Sequence, residues 1–225
     1  TLRALSFIKI KDRKPLRIAD IGCGSGAQTF DLVNNTEAHI TAVDLFPQFL
    51  NKLNHKALAL GLQNRIATLE KSMDNLPFDN EEFDIIWSEG AIYNIGFEVG
   101  IKKWKKFLKP GGYLAVSEIT WTTDKRPKEI EDHWITEYPA ISTPSNKIKI
   151  LEQNGFSPEG FFFLPQECWI ENYYKPMEKR FDAFLSKHSN SDTAKAIVDA
   201  EKDEILKYNK YRDFISYGFY IAKKC

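Results

Sequence analysis

At 225 residues and 43% hydrophobic composition the chain carries enough apolar material for one sizeable core, which excludes a disordered protein. Lys+Arg and Asp+Glu number 31 each, so no global field is available to hold a polyphosphate backbone, and nucleic acid is disfavoured as a partner. Cys23, Cys168 and Cys225 are too scattered for a disulfide framework or a metal cage, and no apolar run is long enough to cross a bilayer. These features point to a metal-free protein of the reducing cytoplasm with no membrane attachment. The chain begins at Thr1 rather than Met, so whether upstream residues complete a site stays open.

In chain order, residues 16–21 read as a buried strand, 26–34 as a helix and 39–45 as a second strand ending near an acid. Pro47 opens a helix over 48–60, where Phe49, Leu50, Leu53, Ala57 and Leu60 fall at helical spacing, and Gly61 stops it. Strands follow at 66–71 and 83–87, then a helix over 97–108. Lys109-Pro110-Gly111-Gly112 reads as a turn before a fifth strand at 113–119. Such alternation of strand and helix builds a parallel sheet. The pattern lapses over 120–143, a charged stretch too long for a plain connection and read as an insertion over the site. It returns as a helix at 145–153 and a strand at 160–164; helices at 167–187 and 193–208 precede a last strand at 215–222. The whole is expected to be one domain, 1–225, with inserted lid segments at about 120–143 and 166–211.

Chemistry concentrates after the first strand. Asp20 precedes Gly22, Gly24 and Gly26 in a turn into a helix, where glycines let the backbone approach a ligand and the helix start offers free N–H groups. Asp44 ends the next strand, where an acid can accept both ribose hydroxyls of an adenosine. Gly22, Gly24 and Ala27 also satisfy a dinucleotide fingerprint, so these two features leave the cofactor undecided.

Taken with three further motifs, the chain resembles the class I S-adenosylmethionine-dependent methyltransferases, in particular their small-molecule branch known as methyltransferase-11 or ubiquinone-biosynthesis-like. Asp20-x-Gly22-x-Gly24-x-Gly26 is similar to the first motif of that family, and Asp44 to its ribose acid. Residues 72–78 (SMDNLPF) are similar to its adenine-flanking segment, residues 83–86 with Ser88-Glu89 to its fourth strand, and residues 108–112 (LKPGG) to the approach to its fifth. The resemblance implies a doubly wound, Rossmann-like α/β fold with seven mostly parallel strands, the antiparallel last strand inserted beside the fifth. It implies S-adenosylmethionine held by Asp20, Gly22, Gly24, Gly26, Asp44, Leu45, Met73, Asp74, Ser88 and Glu89. The implied activity is methyl transfer by in-line displacement to nitrogen, oxygen or activated carbon of a small-molecule acceptor, with no metal.

Glu89, at the end of the fourth strand, is the first catalytic candidate, for contact with the methionine part or the acceptor. His133, beside Trp134 in the presumed lid, is the second, as a proton acceptor, against the plainer reading of a surface histidine. Glu118 is read equally as a ligand group and as the partner of a lysine, while Tyr93 and Asn94 either shape the pocket or begin the next helix. Trp121, Trp134, Trp169, Tyr173 and Tyr174 read as an acceptor wall or, more simply, as packing. Cys23 reads as a small buried residue, and Lys102, Lys103, Lys105 and Lys106 as a solvated helix face. A non-catalytic S-adenosylmethionine-binding module and a tRNA or protein methyltransferase are the rival functions, and self-association into a homo-oligomer stays open.

Overall fold

The computed structural model describes residues 1–9 and 15–225. A short helix, α1 (Leu2–Leu5), precedes the first expected strand and left no periodic signal in so few residues. β1 (Leu16–Ile21), α2 (Ala27–Asn35), β2 (Ala38–Asp44), α3 (Pro47–Ala59), β3 (Ile66–Glu70) and β4 (Phe83–Ser88) follow within a residue or so of their predicted limits. β4 is buried at every position and β1 from Ile18 to Ile21, so neither shows there the in–out alternation of a half-exposed strand.

α4 (Phe97–Trp104) is shorter than predicted and tightens into a 3₁₀ turn over Lys105–Phe107. Beyond it the expected turn at 109–112 is instead part of β5 (Leu108–Trp121). Phe83 pairs with Leu108 and Ile85 with Tyr113, so Asp84 alone opposes four residues, an extended bulge. Gly111 supplies a φ of 70° there, and a Cβ on Gly112 would lie 2.9 Å from the Asp84 carbonyl oxygen. The buried Asp84 carboxylate completes the joint: its Oδ2 accepts from Lys109 Nζ at 2.8 Å and from the Arg17 N–H at 2.9 Å. The glycines therefore punctuate a strand rather than end one.

In the second half α5 (Lys128–Glu137), α6 (Pro144–Gln153) and β6 (Phe156–Phe163) appear, β6 beginning four residues before its predicted start. Pro158 and Glu159 mask that beginning, and both are tolerated because β6 is an edge strand with Ser157, Pro158 and Glu159 exposed. The single helix predicted over 167–187 is broken into α7 (Gln166–Trp169), a π-helical turn over Ile170–Tyr174, α8 (Lys175–Glu178) and α9 (Phe181–Lys187). Pro176, in the first turn of α8, has no N–H to continue the ladder. α10 (Asp192–Tyr211) is capped by Ser191, whose hydroxyl accepts from the Ala194 N–H, and β7 (Ile215–Lys224) closes the chain.

The seven strands form one sheet in the order β3-β2-β1-β4-β5-β7-β6. β1 through β5 pair in parallel, and the last strand, inserted between β5 and β6, is antiparallel. This is the doubly wound α/β architecture that the motifs imply. Strand order reverses between β1 and β4, and the carboxyl ends of strands at such a switch point are where open α/β sheets bind ligands.

The chain divides into two compact units. The first is Thr1–Ile119, Pro144–Phe162 and Tyr217–Cys225; its core gathers Ile21, Ile86, Ile92, Phe97, Trp104 and Tyr220, among others, around the central strands. The second is Thr120–Thr143 and Phe163–Ser216. Within it the Trp169 ring stacks on Tyr208 at 5.0 Å and on Tyr174 at 5.7 Å, and the Tyr174 hydroxyl donates to Glu204 at 3.0 Å. Glu129 on α5 accepts from Lys210 and Tyr211 on α10. Trp169 and Tyr174 are thus packing at the heart of this unit, whereas Tyr173 stays half exposed. No helix among the described residues is long and apolar enough to cross a membrane.

Candidate active site

The loop after β1 is fastened to β2 by its backbone: Gly22 and Cys23 N–H groups both donate to the Val43 carbonyl, at 2.8 and 2.9 Å. Gly22 takes a φ of 76°, and a Cβ there would lie 2.4 Å from the Ala91 Cβ and 3.4 Å from the Met73 methyl. That position brings the loop, the segment after β4 and the residue expected at the adenine together. Gly24 also has positive φ, at 54°, but a Cβ would meet nothing within 4 Å. One glycine is required by packing, and the other leaves open space beside half-buried backbone. Gly26 is the left-handed N-cap of α2.

Asp44 faces this loop. Its Oδ2 accepts from the Gly24 N–H at 2.8 Å and its Oδ1 from the Phe46 N–H at 2.9 Å. Each carboxylate oxygen keeps acceptor capacity for a further donor, so two ribose hydroxyls fit the remaining lone pairs. Next to it Leu45 is 55% exposed, an apolar surface adjoining the acid.

Asp20 is placed differently from the other acids. It is fully buried, accepting from Thr29 Oγ1 and Gln28 Nε2 in the first turn of α2, and so ties β1 to that helix. Burial pushes its carboxyl up to about 7 despite those two donors, with a smaller push from the charges of Glu89 and Asp44. Cys23 is buried in the same loop, and burial pushes its thiol upward as well, which suits packing and not nucleophilic attack.

The segment after β3 is held by α4 through two contacts the motif itself does not announce. Trp104 Nε1 donates to the Met73 carbonyl at 2.9 Å, and Lys103 Nζ to the Asp74 carbonyl at 3.1 Å. Trp104 sits among four lysines that read only as a solvated face, yet its ring is fully buried. The exposed Asp74 carboxyl is lowered by its hydrogen bond with Ser72 and by Lys103. A cavity of about 250 Å³ lies between residues 73–76 and Lys102, Lys103 and Phe107.

At the end of β4, Ser88 is fully buried and its hydroxyl has no partner among the described residues. A buried polar atom of this kind is costly unless a ligand or water completes it. Glu89 follows, with a side chain 23% exposed; its Oε1 accepts from Trp87 Nε1 at 2.8 Å and from the Thr1 hydroxyl at 2.7 Å. Tyr93 and Asn94 belong to a 3₁₀ turn, Ile92–Asn94. Glu118 is fully buried and paired with Lys147 of α6 at 3.0 Å, so the lysine-partner reading describes it.

Asp20, the three glycines, Asp44, Leu45, Met73, Asp74, Ser88 and Glu89 all belong to the first unit, and His133 to the second. His133 lies on α5 with its ring against Trp134; burial, then the Lys207 charge, lowers its pKa, which favours the neutral imidazole.

A reversed last strand in a seven-stranded sheet, with a glycine loop and a facing acid at the switch point, defines the class I methyltransferase fold. Residues 18–112 match the family model of a methyltransferase domain, and over this region the chain is similar to the class I S-adenosylmethionine-dependent methyltransferases. It is 36% identical over 166 residues to erythromycin 3''-O-methyltransferase of Saccharopolyspora erythraea, covering 72% of this chain and 49% of that protein. The chain spans between 24% and 49% of the length of the curated relatives it matches. Among solved structures it resembles a SAM-dependent methyltransferase from Geobacter sulfurreducens in complex with S-adenosyl-L-homocysteine. The TM-score is 0.83 at 16% identity, over 99% of this chain and 88% of that one. It also resembles the [4+2]-cyclase SpnF, with a TM-score of 0.75 at 19% identity over 93% of this chain and 74% of the other.

Proposed function

We propose that the protein binds S-adenosylmethionine at the carboxyl ends of β1, β2 and β4 and transfers its methyl group to a small-molecule acceptor. The observation that carries this reading is the open cradle at Gly24, bounded by an acid whose lone pairs are only half used. Asp44 takes the ribose hydroxyls, Leu45 and Met73 bracket the adenine and Asp74 lies at its edge. The Ser88 hydroxyl and the Glu89 carboxylate face the amino-acid end, with the carboxylate set against its ammonium group. Asp20 acts by holding β1 to α2, which keeps the N–H groups of the loop and helix start aimed outward.

The cofactor supplies an electrophilic methyl group and its own leaving group, so the protein's task is alignment of the acceptor, exclusion of water and, for a protonated nucleophile, removal of a proton. His133, neutral near pH 7, is our candidate for that last role. Acceptor choice we assign to the segments outside the matched family model, and we place the activity in the cytoplasm, consistent with three free cysteines among the described residues. The likeness to a [4+2]-cyclase supports a second reading, in which the same cradle serves a reaction other than methyl transfer, because fold alone does not fix chemistry.

Isothermal titration with S-adenosylmethionine, S-adenosylhomocysteine and NAD tests the first claim. Binding of the adenosyl compounds alone is expected, and binding of NAD instead would overturn it. A screen of metabolite extracts with labelled methyl donor then separates the two readings: label in a small product supports transfer, and tight binding without label in any fraction supports the second.

A further inference from the structure

We infer that Trp87 is a positioning residue that holds Glu89 in one orientation, with a single carboxylate oxygen turned to the ligand; this rests on the reading of Glu89 given above. Trp87 is a residue of β4, fully buried, where an indole N–H needs a hydrogen-bond partner. Here its one polar atom is spent on Glu89: Nε1 donates to Oε1 at 2.8 Å. Glu89 lies one residue beyond the end of β4, in the bend that follows, and its carboxylate reaches back to the Trp87 indole.

The indole itself has little freedom. Phe219 of β7 packs against it with ring centroids 5.5 Å apart, and Phe219 is in turn stacked on Phe162 at 5.4 Å. Side chains packed into such an interior have few alternative rotamers. The Thr1 hydroxyl donates to the same Oε1 at 2.7 Å, which leaves Oε2 with no protein donor among the described residues. The turn after Glu89 is fixed as well: Gly90, at a φ of 59°, donates its N–H to the buried Ser117 hydroxyl at 2.8 Å. One oxygen is therefore committed to the protein and the other presented outward, an arrangement that suits a cation approached from one direction.

The test uses two ligands that differ only where Glu89 is placed. S-adenosylhomocysteine carries the amino-acid end, and 5'-methylthioadenosine shares the adenosine and lacks it. Trp87→Phe and Glu89→Gln should each weaken S-adenosylhomocysteine roughly tenfold, the scale of one hydrogen bond to a charged group, while leaving 5'-methylthioadenosine unchanged. Selective loss in Glu89→Gln alone overturns the role of Trp87 and spares that of Glu89; selective loss in neither overturns both. Equal loss of the two ligands in Trp87→Phe shows that the indole only packs. If that variant fails to fold, the Trp87 indole N–H resonance of the unaltered protein decides: it should shift on S-adenosylhomocysteine and hold still on 5'-methylthioadenosine, and a shift common to both, or none, overturns the proposal.

Discussion

Asp20 and Asp44 are acids of one motif set with opposite surroundings, and they call for opposite experiments. Asp20 is raised from 3.8 to about 7 in the folded chain, so the folded state binds its proton more tightly than the unfolded one. Its contribution to stability is full below about pH 4 and is lost as pH rises through 7. Asp20→Asn keeps the polar contacts to α2 without the titration, and the fall in melting temperature between those pH values should flatten in the variant. Asp44 braces two N–H groups and keeps lone pairs for a ligand. Asp44→Ala should stay folded and lose affinity for S-adenosylhomocysteine roughly a hundredfold, the scale of two hydrogen bonds to a charged group; undiminished affinity would rule out the ribose assignment. The roles of these residues differ in legibility. Asp44 is readable because its partner Gly24 lies in the glycine motif itself, whereas the inward turn of Asp20 depends on Thr29 and Gln28, which carry no signal of their own in the motif.

At the scale of the element, the glycine loop separates packing from binding. Gly22→Ala puts a methyl 2.4 Å from the Ala91 Cβ at positive φ and should unfold the loop's junction with the segment after β4, lowering the melting temperature sharply. Gly24→Ala meets nothing within 4 Å, so its cost to the apo protein is the left-handed backbone alone, about 1–2 kcal/mol. Its effect should fall mainly on ligand affinity, read by titration at a temperature where the variant is folded. Strand, glycine turn and helix are legible as a unit because all of their determinants lie within one short stretch. The bulge at 109–112 is not, because the residue that makes those glycines necessary, Asp84, is on another strand. The break in the helix predicted over 167–187 is legible only at Pro176; the π-helical turn before it follows from how Trp169 and Tyr174 pack.

At the scale of the whole molecule, the two units are stabilised by different chemistry. The first has an apolar interior threaded by parallel strands. The second holds Glu204 partly buried on α10, where burial raises its pKa above the usual 4.5, Tyr174 offsets part of the rise, and the charges of Glu201 and Glu137 add to it against that of Lys207. The sign is that of Asp20: stability held below the unfolded pKa is lost as pH climbs through the folded one. Glu204→Gln keeps an acceptor for the Tyr174 hydroxyl without the charge. It should slow proteolysis of residues 163–216 at neutral pH and leave the rate at pH 4 unchanged.

The edge strand β6 has a bearing on how copies of the chain meet. An unpaired strand edge is a template for further strands, and sheets commonly blunt it with proline and charge. Pro158 and Glu159, the residues that hid the start of β6 from sequence periodicity, do this here. The irregularity that made the strand hard to read thus guards against edge-to-edge growth of the sheet. Replacing both residues with valine should leave the melting temperature nearly unchanged and shift the protein toward higher mass in concentration-dependent light scattering; a scattering profile that stays flat would locate the protection elsewhere.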